Sequence, residues 1–194
     1  MSEPRLVEPA SSERQTSGLA NSLVELLQTA LIAGLLFLAV NLVTARIRVE
    51  GSSMEPSLHD GEMVVVNRLA YRWSTPARGD IIVFRFPLDP SRRFIKRIIG
   101  LPGDVVQARA GKIYINGAPL DEPYIAAAPR YSGEWIVAAS DLFVLGDNRN
   151  NSSDSQNWGL LPYADIIGKA IVVYWPPNDV GLIPHYSLTA SAQN

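Results

Sequence analysis

The sequence predicts an all-β protein, an antiparallel β-sheet domain that follows one N-terminal transmembrane helix. Three observations support this fold class. Twenty consecutive residues without a charge run from Leu26 to Ala45. Beyond residue 46, apolar residues fall into short runs separated by turn signals, which is typical of β-strands. No later stretch shows a helical period of useful length.

The uncharged segment is long enough to cross a bilayer, since 20 residues at 1.5 Å each span roughly 30 Å. We predict a helix over residues 22–45, after a disordered tail over residues 1–21. A buried core helix is the first alternative, although the segment is apolar on all faces. A cleaved signal peptide is the second, because Val43-Thr44-Ala45 offers small residues, but the preceding flank lacks net positive charge. The lysines and arginines on the two sides of the segment do not determine the orientation of the helix in the membrane.

The β domain is predicted over residues 46–194. Tight-turn signals such as Asn116-Gly117 separate its apolar runs. The predicted strands are Arg46–Val49, Met63–Val66, Ile81–Phe84, Phe94–Ile99, Val105–Val106, Ile113–Ile115, Leu142–Leu145 and Ile171–Trp175.

Composition narrows the function classes. The chain has 194 residues, a net charge of −2 and no cysteine. The absence of cysteine excludes disulfides, thiolate catalysis and zinc–thiolate sites. Acidic and basic residues are interspersed without a basic stripe, so a nucleic-acid partner is not expected.

The first candidate for chemistry is Ser53, in the run Gly51-Ser52-Ser53-Met54-Glu55-Pro56 behind an alternating strand. A nucleophilic serine needs a hydroxyl exposed at a turn, with backbone N–H groups nearby to stabilise an oxyanion. A Ser-rich linker leaving the membrane is the competing interpretation.

The second candidate is Lys96. Strand alternation puts it on one face with Phe94 and Ile98. Burial among apolar neighbours disfavours the charged amine, so its pKa should fall and the neutral amine can act as a base. An edge lysine in an ion pair is the alternative.

A dense polar run, Gly146 to Gly159, is the third candidate. Calcium binding fails because Arg149 occupies a position that would have to supply an oxygen ligand. Catalysis by a histidine would have to use His59 or His185, and neither has a suitable setting.

These three blocks, in this order behind one membrane segment, resemble bacterial type I signal peptidase over about residues 26–175. The family's serine-methionine-x-proline pattern matches Ser53-Met54-Glu55-Pro56. Its lysine-arginine-x-x-glycine-x-proline-glycine-aspartate block matches Lys96 to Asp104 without a gap. Its glycine-aspartate-asparagine-arginine block matches Gly146 through Gly159.

The resemblance implies a Ser–Lys dyad that needs no metal or cofactor. Ser53 would be the nucleophile, with its own backbone N–H in the oxyanion hole, and Lys96 the general base. Ser152 would orient the lysine amine, and Asp154 would support it from beneath. The resemblance further implies an accessory β region at about 107–139. Pocket residues for small side chains at −1 and −3 of the preprotein would be Val49, Met54, Leu58, Phe94 and Ile95.

The same resemblance implies a cytoplasmic N-terminus and a catalytic domain on the outer face of a plasma or thylakoid membrane. The expected partners are secretory preproteins and the lipid bilayer, and the sequence leaves the oligomeric state open. The chain departs from the family at three positions. Gly51 lacks a hydroxyl that some members use in the oxyanion hole, and Asn150 and Gln156 remove charge from the scaffold.

Two rival functions remain at this stage. A self-cleaving repressor-type protease could use the same dyad, although the membrane segment and the third block argue against it. A membrane-tethered β-sheet binding module would keep a groove for an added strand and carry out no chemistry.

Overall fold

The computed structural model describes residues 13–188, with side chains from residue 21 onward. Residues 1–12 of the predicted tail and residues 189–194 lie outside the described residues. The helices are α1 (Glu13–Val43) and α2 (Ser155–Trp158). The strands are β1 (Thr44–Arg48), β2 (Met63–Asn67), β3 (Ile81–Phe86), β4 (Asp89–Gly100), β5 (Val105–Arg109), β6 (Lys112–Ile115), β7 (Ala118–Pro119), β8 (Gly133–Ile136), β9 (Asp141–Leu145), β10 (Leu161–Pro162), β11 (Ile166–Trp175) and β12 (Gly181–Leu182). Two short 3₁₀ helices, Tyr163–Asp165 and Pro177–Asp179, complete the elements. The all-β prediction is confirmed.

Helix α1 is a unit by itself. Its segment Asn21–Val43 is 23 residues long and apolar enough to cross a membrane. Thr29 and Asn41 donate their side-chain hydrogen bonds to carbonyls one turn earlier, at Glu25 and Phe37. These bonds satisfy the donor groups of Thr29 and Asn41 within the helix, as a lipid environment requires.

The observed bounds of α1 differ from the predicted 22–45. The helix begins at Glu13, because extending an existing helix through residues of fair helix propensity requires no new nucleus. It ends at Val43, because Thr44 and Ala45 pair with Asn67 and Val66 of β2. Strand pairing therefore sets the end of the helix.

The β unit contains two antiparallel sheets. The larger runs β1-β2-β11-β3-β4-β9-β10, with β12 paired to β11, and the smaller runs β7-β6-β5-β8. β1 is the terminal strand of the larger sheet, so its outer edge is unpaired. β9 pairs with β4 only from Arg97 onward, which leaves the outer edge of the preceding residues of β4 open as well.

Three apolar clusters form the core. One lies beneath β1 and β2 and includes Val49, Met54 and Leu58. A second, with Phe143 and Val106, joins the two sheets. The third contains Phe84 and Leu142. The first cluster carries the loop that follows β1, and the second fixes the small sheet against β4 and β9.

The contact between the sheets leaves no room at Gly100. A Cβ there would lie 2.6 Å from Val106 Cγ2 and 2.9 Å from both Phe143 Cβ and Val137 Cγ2. Gly100→Ala should lower the free energy of unfolding by about 1–3 kcal/mol through overpacking. Denaturant unfolding of the detergent-solubilised chain measures this. Gly181→Ala is the control, because its nearest atom would be 3.9 Å away, and equal effects of the two changes would contradict the prediction.

Candidate active site

The predicted nucleophile and base lie side by side. Lys96, on β4, reaches Ser53 in the loop after β1, and Nζ to Oγ is 2.8 Å. The amine also lies 2.9 Å from the carbonyl oxygen of Ile95. The two residues are 43 positions apart in sequence, so tertiary folding creates this contact.

The amine of Lys96 is withdrawn from water. The residue is 4% exposed, and the Phe94 ring centroid lies 5.4 Å from Nζ. Burial lowers the pKa of Lys96 from 10.5 to about 8, against the opposing charges of Asp154 and Asp147. A neutral fraction of about one in ten is therefore present at pH 7, and a neutral amine can accept the proton of a serine hydroxyl.

Buried anchors on both sides hold Ser53 in place. Met54 is 0% exposed, and Val49 and Leu58 are each 1% exposed, in one core cluster. Gly51 has a φ of +77°, which favours glycine. Among the described residues the Ser53 N–H has no hydrogen-bond partner, which leaves it available to an oxyanion.

The polar segment after β9 packs directly against Ser53. The backbone N–H of Asn148 donates to the carbonyl of Ser53 at 3.1 Å. Asn151 Nδ2 donates to the hydroxyl of Ser52 at 2.9 Å. A Cβ at Gly146 would collide with the Ser53 carbonyl and the Ser152 side chain. Glycine at position 146 therefore permits the close approach of these two segments.

Ser152 and Asp154 lie behind the dyad. Within residues 21–188, Ser152 Oγ is buried and forms no hydrogen bond to the Lys96 amine. Its hydroxyl lies beside the Asp154 carboxyl and, against the larger opposite effect of burial, helps to lower the pKa of that group. Asp154 is fully buried, accepts hydrogen bonds from the N–H groups of Gly146 (2.9 Å) and Gln156 (3.3 Å), and caps α2. Burial raises the pKa of the Asp154 carboxyl, and the N–H donors partly offset this rise.

Ser53 and Lys96 lie in the lining of a groove of about 680 Å³. β1 and β4 line it, with Ile47 on one side and Phe94 and Ile95 on the other, together with Ser53 and Lys96. Of the predicted pocket residues, Phe94 and Ile95 line this groove. Val49, Met54 and Leu58 do not line this groove within the described residues and lie in the buried cluster that also contains Ile95. Their role as pocket residues stays a prediction.

Two ion pairs that the sequence did not reveal stabilise the polar segment. Arg97 and Asp147 form a two-pronged pair at 2.8 and 2.7 Å, with both side chains 0% exposed. Arg149 binds Glu122 at 2.7 and 2.5 Å. Asn150 donates to the Ala128 carbonyl and accepts from a backbone N–H on the same stretch. The only sequence signal was that Arg97, Asp147 and Arg149 lie within the matched motifs.

Neither histidine contacts the dyad within the described residues. His59 Nδ1 lies 3.3 Å from Glu62, and its side chain is 60% exposed. His185 Nε2 lies 2.8 Å from the Ala170 carbonyl, and its Nδ1 accepts from Ile81 N. Both histidines therefore have structural partners away from Ser53.

Comparison with known proteins shows the family of the chain. The family model "Signal peptidase, peptidase S26" matches residues 22–175, and the chain belongs to this family. It is 41% identical over 181 residues to a probable signal peptidase I-2 of Synechocystis sp., covering 89% of this chain and 83% of the relative. It is 40% identical to a signal peptidase I of Leptolyngbya laminosa, covering 90% and 89%.

Among solved structures, a signal peptidase I of Enterococcus faecalis V583 aligns with 50% of this chain and 97% of its own, at 34% identity and a TM-score of 0.46. The apolar helix and the family together fit a membrane location.

Asp147→Asn should destabilise the chain by about 3–5 kcal/mol, because it leaves the Arg97 charge buried and unpaired. Asp165→Asn is the matched control. Asp165 pairs with Arg85 at 3.4 Å, and these side chains are 25% and 47% exposed, so its loss should cost at most about 1 kcal/mol. Denaturant unfolding of both variants tests this, and a small effect at Asp147 would contradict it.

Proposed function

We propose that the chain is a membrane-anchored endopeptidase that removes N-terminal signal peptides from exported preproteins, with Ser53 as nucleophile and Lys96 as general base. The observation that carries this proposal is the 2.8 Å approach of a buried lysine amine to a serine hydroxyl. Membership of the signal peptidase family supports the substrate class.

The reaction starts with neutral Lys96, which takes the proton of the Ser53 hydroxyl as its oxygen attacks the carbonyl at the cleavage site. The resulting oxyanion accepts a hydrogen bond from the Ser53 N–H. Lys96 then gives its proton to the departing amine of the mature protein. In the second half Lys96 takes a proton from water as the water oxygen attacks the ester. Lys96 returns this proton to Ser53 Oγ when the ester C–O bond breaks, and the signal peptide leaves with a free carboxyl group.

Substrate binding uses the two open strand edges. An extended peptide can add to the outer edges of β1 and β4 by main-chain hydrogen bonds. Phe94 and Ile95 present apolar surface along this path. The requirement for small residues at −1 and −3 belongs to the same proposal.

The proposed topology puts the N-terminal tail in the cytoplasm and the β unit on the outer face of a plasma or thylakoid membrane. Within the β unit, the sheet from β5 to β8 serves as the accessory region. The helix would anchor the β unit to the bilayer that also holds the apolar segment of the substrate, which raises the effective concentration.

Purified wild type in detergent should cut a precursor whose signal ends in Ala-x-Ala after the −1 residue. Ser53→Ala and Lys96→Ala should each lower kcat/KM by roughly 10³-fold or more. Electrophoresis with mass spectrometry of the products measures this. Equal cutting by all three proteins would exclude the dyad, and binding without cutting by wild type would favour the binding-module function.

The pKa of Lys96, about 8, sets the expected pH dependence. Because the amine must lose its proton to act, kcat/KM should rise about tenfold per pH unit below pH 8 and level off above it. A pH–rate profile on a precursor without groups titrating near pH 8 measures this. Lys112→Gln, on the exposed side of β6, should leave the profile unchanged. A rate that is level from pH 6 to 9 would contradict the assignment of Lys96.

A further inference from the structure

The half of the groove away from the dyad is strongly basic. Four arginines line it, two on each strand: Arg46, Arg48, Arg92 and Arg93. All four are exposed. Glu50 is the one carboxylate in the lining of this groove. The lining therefore carries a clear excess of positive charge, even without Lys96.

These arginines have no carboxylate partner among the described residues, whereas Arg78, Arg97 and Arg149 each pair with one. Arg92 packs over the rings of Phe94 and Phe86, at 5.1 and 5.8 Å from their centroids. This contact directs its side chain along the groove wall, and the charge of Arg92 acts on the carboxylate of Asp89 without forming an ion pair with it. Four unpaired cations along one peptide-sized groove favour a negatively charged occupant.

The direction of the strands shows which part of a substrate meets them. Four successive antiparallel pairings connect β1 to β4: β1 with β2, β2 with β11, β11 with β3, and β3 with β4. Because the direction reverses four times, β1 and β4 run in the same direction. Both strands run toward the dyad. Arg92 precedes Lys96 by four residues, about 13 Å along a strand, and Arg48 precedes Ser53 by five.

In the proposed binding mode, a substrate enters from the arginine end. β1 begins at Thr44, immediately after the last residue of the apolar helix, so this end of the strand is where the chain leaves the membrane. The apolar core of a signal peptide precedes its cleavage site and lies in the same bilayer. The segment between that core and the cleavage site therefore passes the arginines before it reaches Ser53.

We propose that Arg46, Arg48, Arg92 and Arg93 select preproteins with an acidic or uncharged residue about four to six positions ahead of the cleaved bond, and disfavour lysine or arginine there. The inference rests on the proposed function. It adds a charge requirement, upstream of the small residues at −1 and −3, that the dyad itself does not impose.

The test uses three precursors that differ only at the −5 position, which carries Glu, Gln or Lys. Full-length enzyme in an uncharged detergent should show a kcat/KM for the Glu precursor about tenfold above that for the Lys precursor at low salt. The ratio of the kcat/KM values for the Glu and Lys precursors should fall toward one as salt screens the charges. Arg92→Gln and Arg46→Gln should each reduce the ratio. Arg109→Gln, an exposed arginine on β5, should leave it unchanged.

The proposed function stands if wild type cuts the Gln precursor and Ser53→Ala does not. In that case, either of two outcomes would overturn the inference. One is an equal rate for Glu and Lys precursors at low salt. The other is that Arg92→Gln and Arg46→Gln leave the ratio of the Glu and Lys kcat/KM values unchanged, while both variants bind more weakly to vesicles containing an anionic phospholipid. This second outcome would assign the arginines to lipid headgroups. If wild type cuts no precursor at all, the proposed function fails and this inference fails with it.

Discussion

The site depends on keeping the amine of Lys96 out of water while the hydroxyl beside it stays accessible. Burial alone moves the amine toward its neutral form, and two nearby carboxylates act in the opposite direction. The structure limits how far these two carboxylates can raise the pKa of Lys96. Asp147 is held in a buried pair with Arg97, and Asp154 accepts backbone N–H groups while burial raises its pKa. Desolvation therefore remains the dominant influence on the pKa of Lys96, because the surrounding residues limit the opposing effect of the two carboxylates.

The segment after β9 also holds Ser53 in position beside Lys96. Asn148 fixes the carbonyl of Ser53, while Arg149 and Asn150 tie the same segment to residues ahead of β8. The departure at Asn150 has a physical reason here. Its amide donates to one backbone group and accepts from another, and an aspartate could only accept. The hydrogen bonds of Asn150 thus replace part of the ionic contacts that the sequence predicted to be lost at this position.

Local patterns predicted the parts of the fold that local physics determines. The Asn116-Gly117 turn has positive φ at both residues, as this dipeptide favours, and alternation along β4 anticipated a buried Lys96. Short strands such as β8 and β10 were missed, because they carry no period of their own and exist only through pairing. The pairing of Arg97 with Asp147 was missed for the same reason. It joins residues 50 positions apart, and only the register of β4 and β9 brings them together.

The open edges of β1 and β4 create a conflict that the arginines help to resolve. A peptide can add to a strand only where the edge is unpaired, yet an unpaired edge also invites pairing between copies of the chain. Charged side chains along an edge oppose such self-association, because like charges would meet across the new interface. Arg46 and Arg48 on β1, with Arg92 and Arg93 on β4, repel a second identical edge and leave the groove available to a chain of different charge. In the proposed function, protection of the edge and selection of the substrate therefore draw on the same four residues.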